Sequence, residues 1–210
     1  MRVAIFDMDG TLIDSSVAIE KTVNDIRAEL SLEPLSTQFI ITAINEPGRN
    51  LAYDLYGINN PDARLRDSFE EKFKQNYAKF ACTYDKVDWL LDECRAMRYA
   101  VALASNAPLY TLEAILKKCK IFEKFDYIIG ANDEIPQKPD PKMLDLVCDK
   151  FDTKKAVFIG DSLKDELAAS NAKMPYIQVS WGFGEVSKSA KFNAKSVQEA
   201  LIMIKDLLDD

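Results

Sequence analysis

The sequence predicts an α/β protein, a Rossmann-like parallel sheet flanked by helices, with an inserted all-helical cap domain. Two observations predict it: short apolar runs alternate with helical patterns over most of the chain, and that alternation stops between about residues 15 and 80. The composition agrees, since 48% of the 210 residues are apolar and 29% charged, the balance of a folded globular chain. The length suits one domain, or a core carrying a smaller insert.

Val3 to Phe6 is a short apolar run of the kind a parallel strand needs, because helices cover both faces of such a strand. Tyr99 to Ala104, Tyr127 to Gly130, Ala156 to Ile159 and Tyr176 to Val179 repeat the pattern. Helical patterns fall between them at Lys86 to Met97, Leu109 to Lys118, Pro141 to Lys150 and Leu163 to Ala172, and Ser196 to Leu208 closes the chain. Asp140-Pro141 reads as an N-cap followed by a first-turn proline, and Asp161-Ser162 can cap the next helix in a similar way. Between Ser15 and Phe80 the patterns are helical only, at Val17 to Leu30, Thr37 to Ile44, Leu51 to Tyr56 and Ala63 to Phe80. The predicted division is therefore residues 1–14 and 81–210 as the α/β core and 15–80 as the helical cap.

Charge and composition narrow the function. The net charge is −7, from 34 acidic and 27 basic residues, and no Lys/Arg run stands out, which argues against a nucleic-acid partner. A small anionic substrate needs only a few local cations or a metal. The first apolar run is too short for a signal peptide, and no segment approaches the roughly 20 apolar residues of a membrane span. Cys82, Cys94, Cys119 and Cys148 are widely spaced and read as reduced thiols, so the expectation is a cytoplasmic protein without a membrane partner. Histidine is absent. That removes Ser-His-Asp hydrolysis, Cys-His catalysis and most zinc hydrolases, and leaves carboxylates, lysine, hydroxyls or an oxygen-ligated metal to do any chemistry.

The motifs supply such groups. Asp7-Met8-Asp9-Gly10-Thr11 follows the first strand directly, placing two carboxylates and a glycine at the carboxyl end of a buried strand, where open α/β sheets bind ligands. Ser105-Asn106 ends the second strand, and Gly160-Asp161-Ser162-Leu163-Lys164-Asp165 follows a later one. Right-handed crossovers bring these strand ends to one edge of the sheet. Lys138-Pro139-Asp140-Pro141 lies between them, a loop stiffened by two prolines and bearing one lysine. Each later motif alone has an ordinary reading, as a turn, a proline loop, or a helix N-cap with a surface acid. Their order after the first motif joins them.

On these residues the chain resembles the haloacid dehalogenase-like superfamily, and within it the phosphoglycolate phosphatase-like members that carry a helical cap after the first motif. Asp7, Asp9, Gly10 and Thr11 look like the first family motif, Ser105 the second, Lys138 the third, and Gly160-Asp161 with Asp165 the fourth. Trp181-Gly182-Phe183-Gly184 also looks like that subgroup, though a Gly-rich turn would read the same. The resemblance implies that Asp7 attacks phosphorus and that Asp9 acts as general acid and then base. It also implies Mg²⁺ held by Asp7, the Asp9 carbonyl and Asp161, with Asp165 behind them. Ser105, Asn106 and Lys138 would bind the phosphoryl group of a small phosphorylated metabolite. These roles agree with what phosphoryl transfer requires: an in-line nucleophile, neutralised equatorial charge and a proton donor. Dehalogenases lack an acid at the Asp9 position, so its presence favours phosphate esters. A sugar-phosphate mutase of the beta-phosphoglucomutase kind keeps both aspartates, but such mutases generally carry a cap histidine. A catalytically silent binding subunit is the alternative from another class. Arg49, after Pro47-Gly48 in the helical stretch, is the candidate for gripping the far end of a substrate, or else a surface partner of Glu46. Ile44-Asn45-Glu46-Pro47-Gly48 departs from the Ile-Gly that related phosphatases often have, which counts against phosphoglycolate itself and leaves nucleoside monophosphates, pyrophosphate and small sugar phosphates open.

Overall fold

The computed structural model describes residues 1–185 and 187–209. Strand β1 (Arg2–Phe6) carries four buried residues in succession, and it is followed by the two-residue β2 (Ile13–Asp14). Four helices come next, α1 (Ser16–Glu29), α2 (Thr37–Asn45), α3 (Leu51–Tyr56) and α4 (Ala63–Phe80), before the two-residue β3 (Cys82–Thr83). Alternation then resumes with α5 (Val87–Ala96), β4 (Ala100–Pro108), α6 (Leu109–Lys118), β5 (Tyr127–Ala131) and α7 (Lys142–Lys150). It continues through β6 (Lys155–Gly160), α8 (Leu163–Asn171), β7 (Tyr176–Val179), β8 (Phe192–Ala194) and α9 (Val197–Asp209).

Among the described residues six parallel strands form one sheet in the order β5-β4-β1-β6-β7-β8. The fold is the α/β, Rossmann-like one that the alternation predicts. β1 is central, and alternate residues of its strands face opposite layers. On one side Val3, Ile5, Ala102, Ala104 and Phe158 pack with Met143, Leu144 and Val147 of α7 and Ala168 and Ala169 of α8. Helices α5 and α9 pack on each other and on the sheet, burying Leu90, Leu91, Leu201 and Ile204. Burial on both faces is why these strands read as unbroken apolar runs. The short β8 has no such run; it pairs Phe192, Asn193 and Ala194 with Ile177, Gln178 and Val179 at the sheet edge.

Contacts divide the chain into two compact units, residues 1–14 with 83–210, and residues 15–82. In the helical unit α1 packs on α4 and α2. Asn76 is buried there and donates to Asp25 Oδ2 at 3.0 Å, while Phe73 and Tyr77 stack with centroids 4.1 Å apart. Among the described residues no helix is long and apolar enough to cross a membrane.

Candidate active site

Register fixes the site. β1 pairs Phe6 with Leu103 of β4 and Ile159 of β6, so Asp7 and Asp161, just beyond β1 and β6, gather at one edge of the sheet with Ser105, two residues past Leu103 in β4. Asp7 N donates to Ile159 O at 2.9 Å, which continues the ladder by one residue. The chain then turns sharply: Met8 O accepts from the backbone N–H groups of Leu12 and Ile13, each at 2.9 Å. Gly10 takes φ +81°, and a Cβ there would run into the Asp161 carboxylate, so the turn admits only glycine. Asp9 is half-buried on this turn.

Lys138, 3% exposed, reaches into the acidic end of β1. Its Nζ donates to Asp7 Oδ1 at 2.6 Å, to Asp165 Oδ1 at 2.6 Å and to Ala104 O at 3.0 Å. The Asn106 side chain holds the lysine in register, its Oδ1 accepting from Lys138 N at 2.7 Å and its Nδ2 donating to Lys138 O at 3.1 Å. Both ends of the Asn106 amide thus meet the Lys138 backbone, so its side chain orients the lysine. Ser105 is buried, and its Oγ accepts from Ala107 N at 3.1 Å.

Asp165 is the third residue of α8 and closes a capping box with Ser162. Its Oδ2 accepts from Ser162 N at 3.1 Å and Ser162 Oγ at 2.6 Å, while its Oδ1 holds Lys138. Asp161 is held differently: its Oδ2 accepts from Phe183 N at 2.7 Å and Gly184 N at 3.0 Å, and Thr11 Oγ1 lies 3.4 Å from its Oδ1. The structure therefore brings together Asp7, Ser105, Asn106, Lys138, Asp161 and Asp165. Arg49 lies in the helical unit, where its Nε donates to Glu46 Oε2 at 2.6 Å and its Nη1 to Asp54 Oδ2 at 3.3 Å. Gln178 and the Trp181 to Gly184 loop also reach Asp161, and sequence reasoning assigned neither a role. A lone glutamine in the apolar run Tyr176 to Val179 was the available signal.

One oxygen each from Asp7, Asp161 and Asp165 lie within 4.8 Å of one another. Three carboxylates against one ammonium leave an excess of two negative charges when all are ionised. Burial raises the Asp7 carboxyl well above the usual carboxylate range; Lys138 opposes the shift, and Asp165 and Asp161 add to it. Asp161 is pushed up to about 7, by burial first and then by Asp165, against the N–H groups of Gly184 and Phe183. Burial alone would lower the Lys138 ammonium, but Asp165 and Asp7 outweigh it and hold it above its ordinary value. Burial and mutual repulsion disfavour the ionised forms of Asp7 and Asp161 until a cation offsets them, and a donor set of oxygens only fits a hard divalent ion.

The family model for haloacid dehalogenase-like hydrolases matches residues 4–179. A phosphoglycolate phosphatase from Psychrobacter arcticus is 31% identical over 194 residues, covering 87% of this chain and 84% of that protein. An N-acetylmuramic acid 6-phosphate phosphatase from Pseudomonas aeruginosa is 24% identical over 188 residues, covering 87% and 83%. A solved haloacid dehalogenase-like family hydrolase from Streptococcus pneumoniae superposes with a TM-score of 0.83 at 21% identity, over 97% of this chain and 98% of that one. That last likeness concerns the fold.

Proposed function

The chain belongs to the haloacid dehalogenase-like hydrolases and is a phosphatase, and we propose that it hydrolyses a small phosphate monoester through an aspartyl-phosphate on Asp7. The observation that carries this reading is the setting of Asp7: a buried carboxylate at the end of the central strand, bonded to Lys138 at 2.6 Å and grouped with Asp161 and Asp165. A nucleophile so placed has a cation beside the site of attack and a second carboxylate, Asp9, two residues away.

In the first step a carboxylate oxygen of Asp7 bonds to phosphorus as the ester oxygen departs. Asp9, entering as the acid, gives that oxygen its proton. In the second step Asp9, now a carboxylate, takes a proton from water as the water oxygen bonds to phosphorus. The bond to Asp7 breaks, releasing inorganic phosphate and returning Asp7 ionised and Asp9 protonated. Lys138 stabilises the phosphoryl oxygens with a charge that Asp165 keeps in place, and Asn106 fixes the lysine backbone. Ser105 stands beside them as a phosphoryl hydrogen-bonding group.

Mg²⁺ is the cofactor we assign, with Asp7, the Asp9 carbonyl and Asp161 to hold it and Asp165 behind them. When bound, it would supply the positive charge that keeps Asp7 ionised and offsets charge on the phosphoryl oxygens. Residues 15–82 would serve as the cap that selects the leaving group. The relatives' names describe phosphate monoesters of acids, which makes a small phosphorylated metabolite with a carboxylate the first class to assay.

The test is turnover of a generic aryl phosphate with Mg²⁺, compared with Asp7→Asn and with chelator present. Wild type is expected to turn over and both controls to be silent, with a phosphorylated peptide containing Asp7 recovered after acid quench. Turnover by Asp7→Asn within tenfold of wild type would sink the assignment. A wild type with no turnover on any phosphate ester would make the chain a binding subunit.

A further inference from the structure

Gln178 is a primary amide in an otherwise apolar strand, 1% exposed, and its side chain bonds to both Asp161 and the segment after the loop. Its Nε2 donates to Asp161 O at 3.2 Å and to Glu185 O at 2.9 Å, and its Oε1 accepts from Ser187 N at 3.2 Å. The amide thus ties the backbone of Asp161 to the far end of the loop that follows β7. That loop closes on Asp161 from the other side. Phe183 N and Gly184 N both donate to Asp161 Oδ2, and Trp181 Nε1 donates to Thr11 O at 3.0 Å, joining the loop to the turn that carries Asp7 and Asp9. A Cβ at Gly184 would overlap the Asp161 carbonyl, so the close approach requires glycine.

We propose that Gln178 and the Trp181 to Gly184 loop are the positioning device for Asp161, committing its Oδ2 to backbone N–H groups so that Oδ1 is the oxygen presented to a cation. Neither touches substrate; they act through Asp161, as outer hydrogen-bond partners commonly fix a metal-binding side chain. The loop's glycines serve the backbone approach, and the buried glutamine serves the loop. The proposal rests on the reading of Asp161 as a cation ligand, and the experiment separates the two.

Mg²⁺ binding to the metal-free full chain is measured by calorimetry for wild type, Asp161→Asn, Gln178→Met, Gly184→Ala and Ile177→Val, with thermal unfolding of each without metal. Gln178→Met keeps the length of the side chain and removes its hydrogen bonds, Gly184→Ala attacks the same device from the loop, and Ile177→Val trims a neighbouring buried residue. Gln178→Met and Gly184→Ala are expected to weaken Mg²⁺ by about 10–100-fold, while Ile177→Val stays within about twofold of wild type in the same titration. A folded Gln178→Met or Gly184→Ala that binds Mg²⁺ as tightly as wild type would overturn the proposal. So would failure of both to fold while Ile177→Val folds, since their role would then be structural. If Asp161→Asn binds as wild type does, or wild type binds no Mg²⁺, the ligand reading itself fails and the proposal with it.

Discussion

Lys138 sits between Asp7 and Asp165, and removing its ammonium would leave two buried carboxylates facing each other without compensation. Breaking a buried ion pair in this way costs about 3–5 kcal/mol. Lys138→Met is therefore expected to lose about that much stability in urea unfolding with chelator present, and to recover part of it when Mg²⁺ is added. A loss below about 1 kcal/mol would place the pair in the class of exposed ones. Asp9→Asn should cost about 10²–10⁴-fold in turnover, the usual worth of a general acid/base, with a smaller loss for esters of good leaving groups. An equal loss on all esters would remove Asp9 from proton transfer. Arg49, already paired with Glu46 and Asp54, is exposed, and solvent screens such pairs so that they contribute little. Arg49→Ala should therefore leave kcat/KM for a carboxylated substrate and for an aryl phosphate within about threefold of wild type, whereas a selective loss on the carboxylated one would return it to substrate binding. The acidic residues of the site were legible in the sequence because they follow the ends of neighbouring strands, and Lys138 because its proline loop falls between them in motif order. The Asn106 amide's contact was not, because sequence says that an amide stands near a strand end but not that a lysine backbone 32 residues away will take up both its ends.

At the scale of elements, the same alternation that gives the fold also gives its helix starts. Ser162 N-caps α8 and Asp165 completes the box, whereas α7 starts one residue later than the Asp140-Pro141 pair predicts: Pro141 itself takes the N-cap position, and Asp140 Oδ1 accepts from Lys142 N at 2.9 Å from one residue ahead of it. In α8 the cap has a second consequence, because the oxygen of Asp165 that Ser162 Oγ holds at 2.6 Å belongs to the carboxylate that orients Lys138. Ser162→Ala is expected to cost about 1 kcal/mol through the lost cap, and to lower kcat as Asp165 loosens, with Ser162→Thr restoring most of both. A stability loss without any change in kcat would confine Ser162 to capping. Elements long enough to bury an apolar face were legible, including α3 and α4 to the residue. β8 was not: its three residues between Lys191 and Lys195 depend on pairing with β7 rather than on any periodicity of their own. The loop before it was visible only as a Gly-rich motif, since its hydrogen bonds to Asp161 span some twenty residues of sequence.

For the whole molecule, the absence of histidine turns pH dependence into a question about the buried carboxyls. The buried Cys94 thiol is pushed up to about 12, well outside the neutral range. Asp161 titrates at about 7 in the folded chain, against an ordinary value of 3.8, and Asp7 is shifted in the same direction. A raised carboxyl pKa means that the folded state holds a proton the unfolded state has released, so this group's contribution to stability is fully present below about pH 4 and is lost as pH rises toward 7. A divalent cation binds the ionised form, so at pH 5.5 it must displace protons and at pH 8 it need not. The Mg²⁺-induced rise in Tm should therefore be larger at pH 8 than at pH 5.5. Calorimetry in buffers of different ionisation enthalpy should detect proton release on binding at the lower pH and little at the higher. Equal Tm gains with no proton release at either pH would mean that both carboxyls are already ionised in the metal-free protein, and that Lys138 alone offsets their charge.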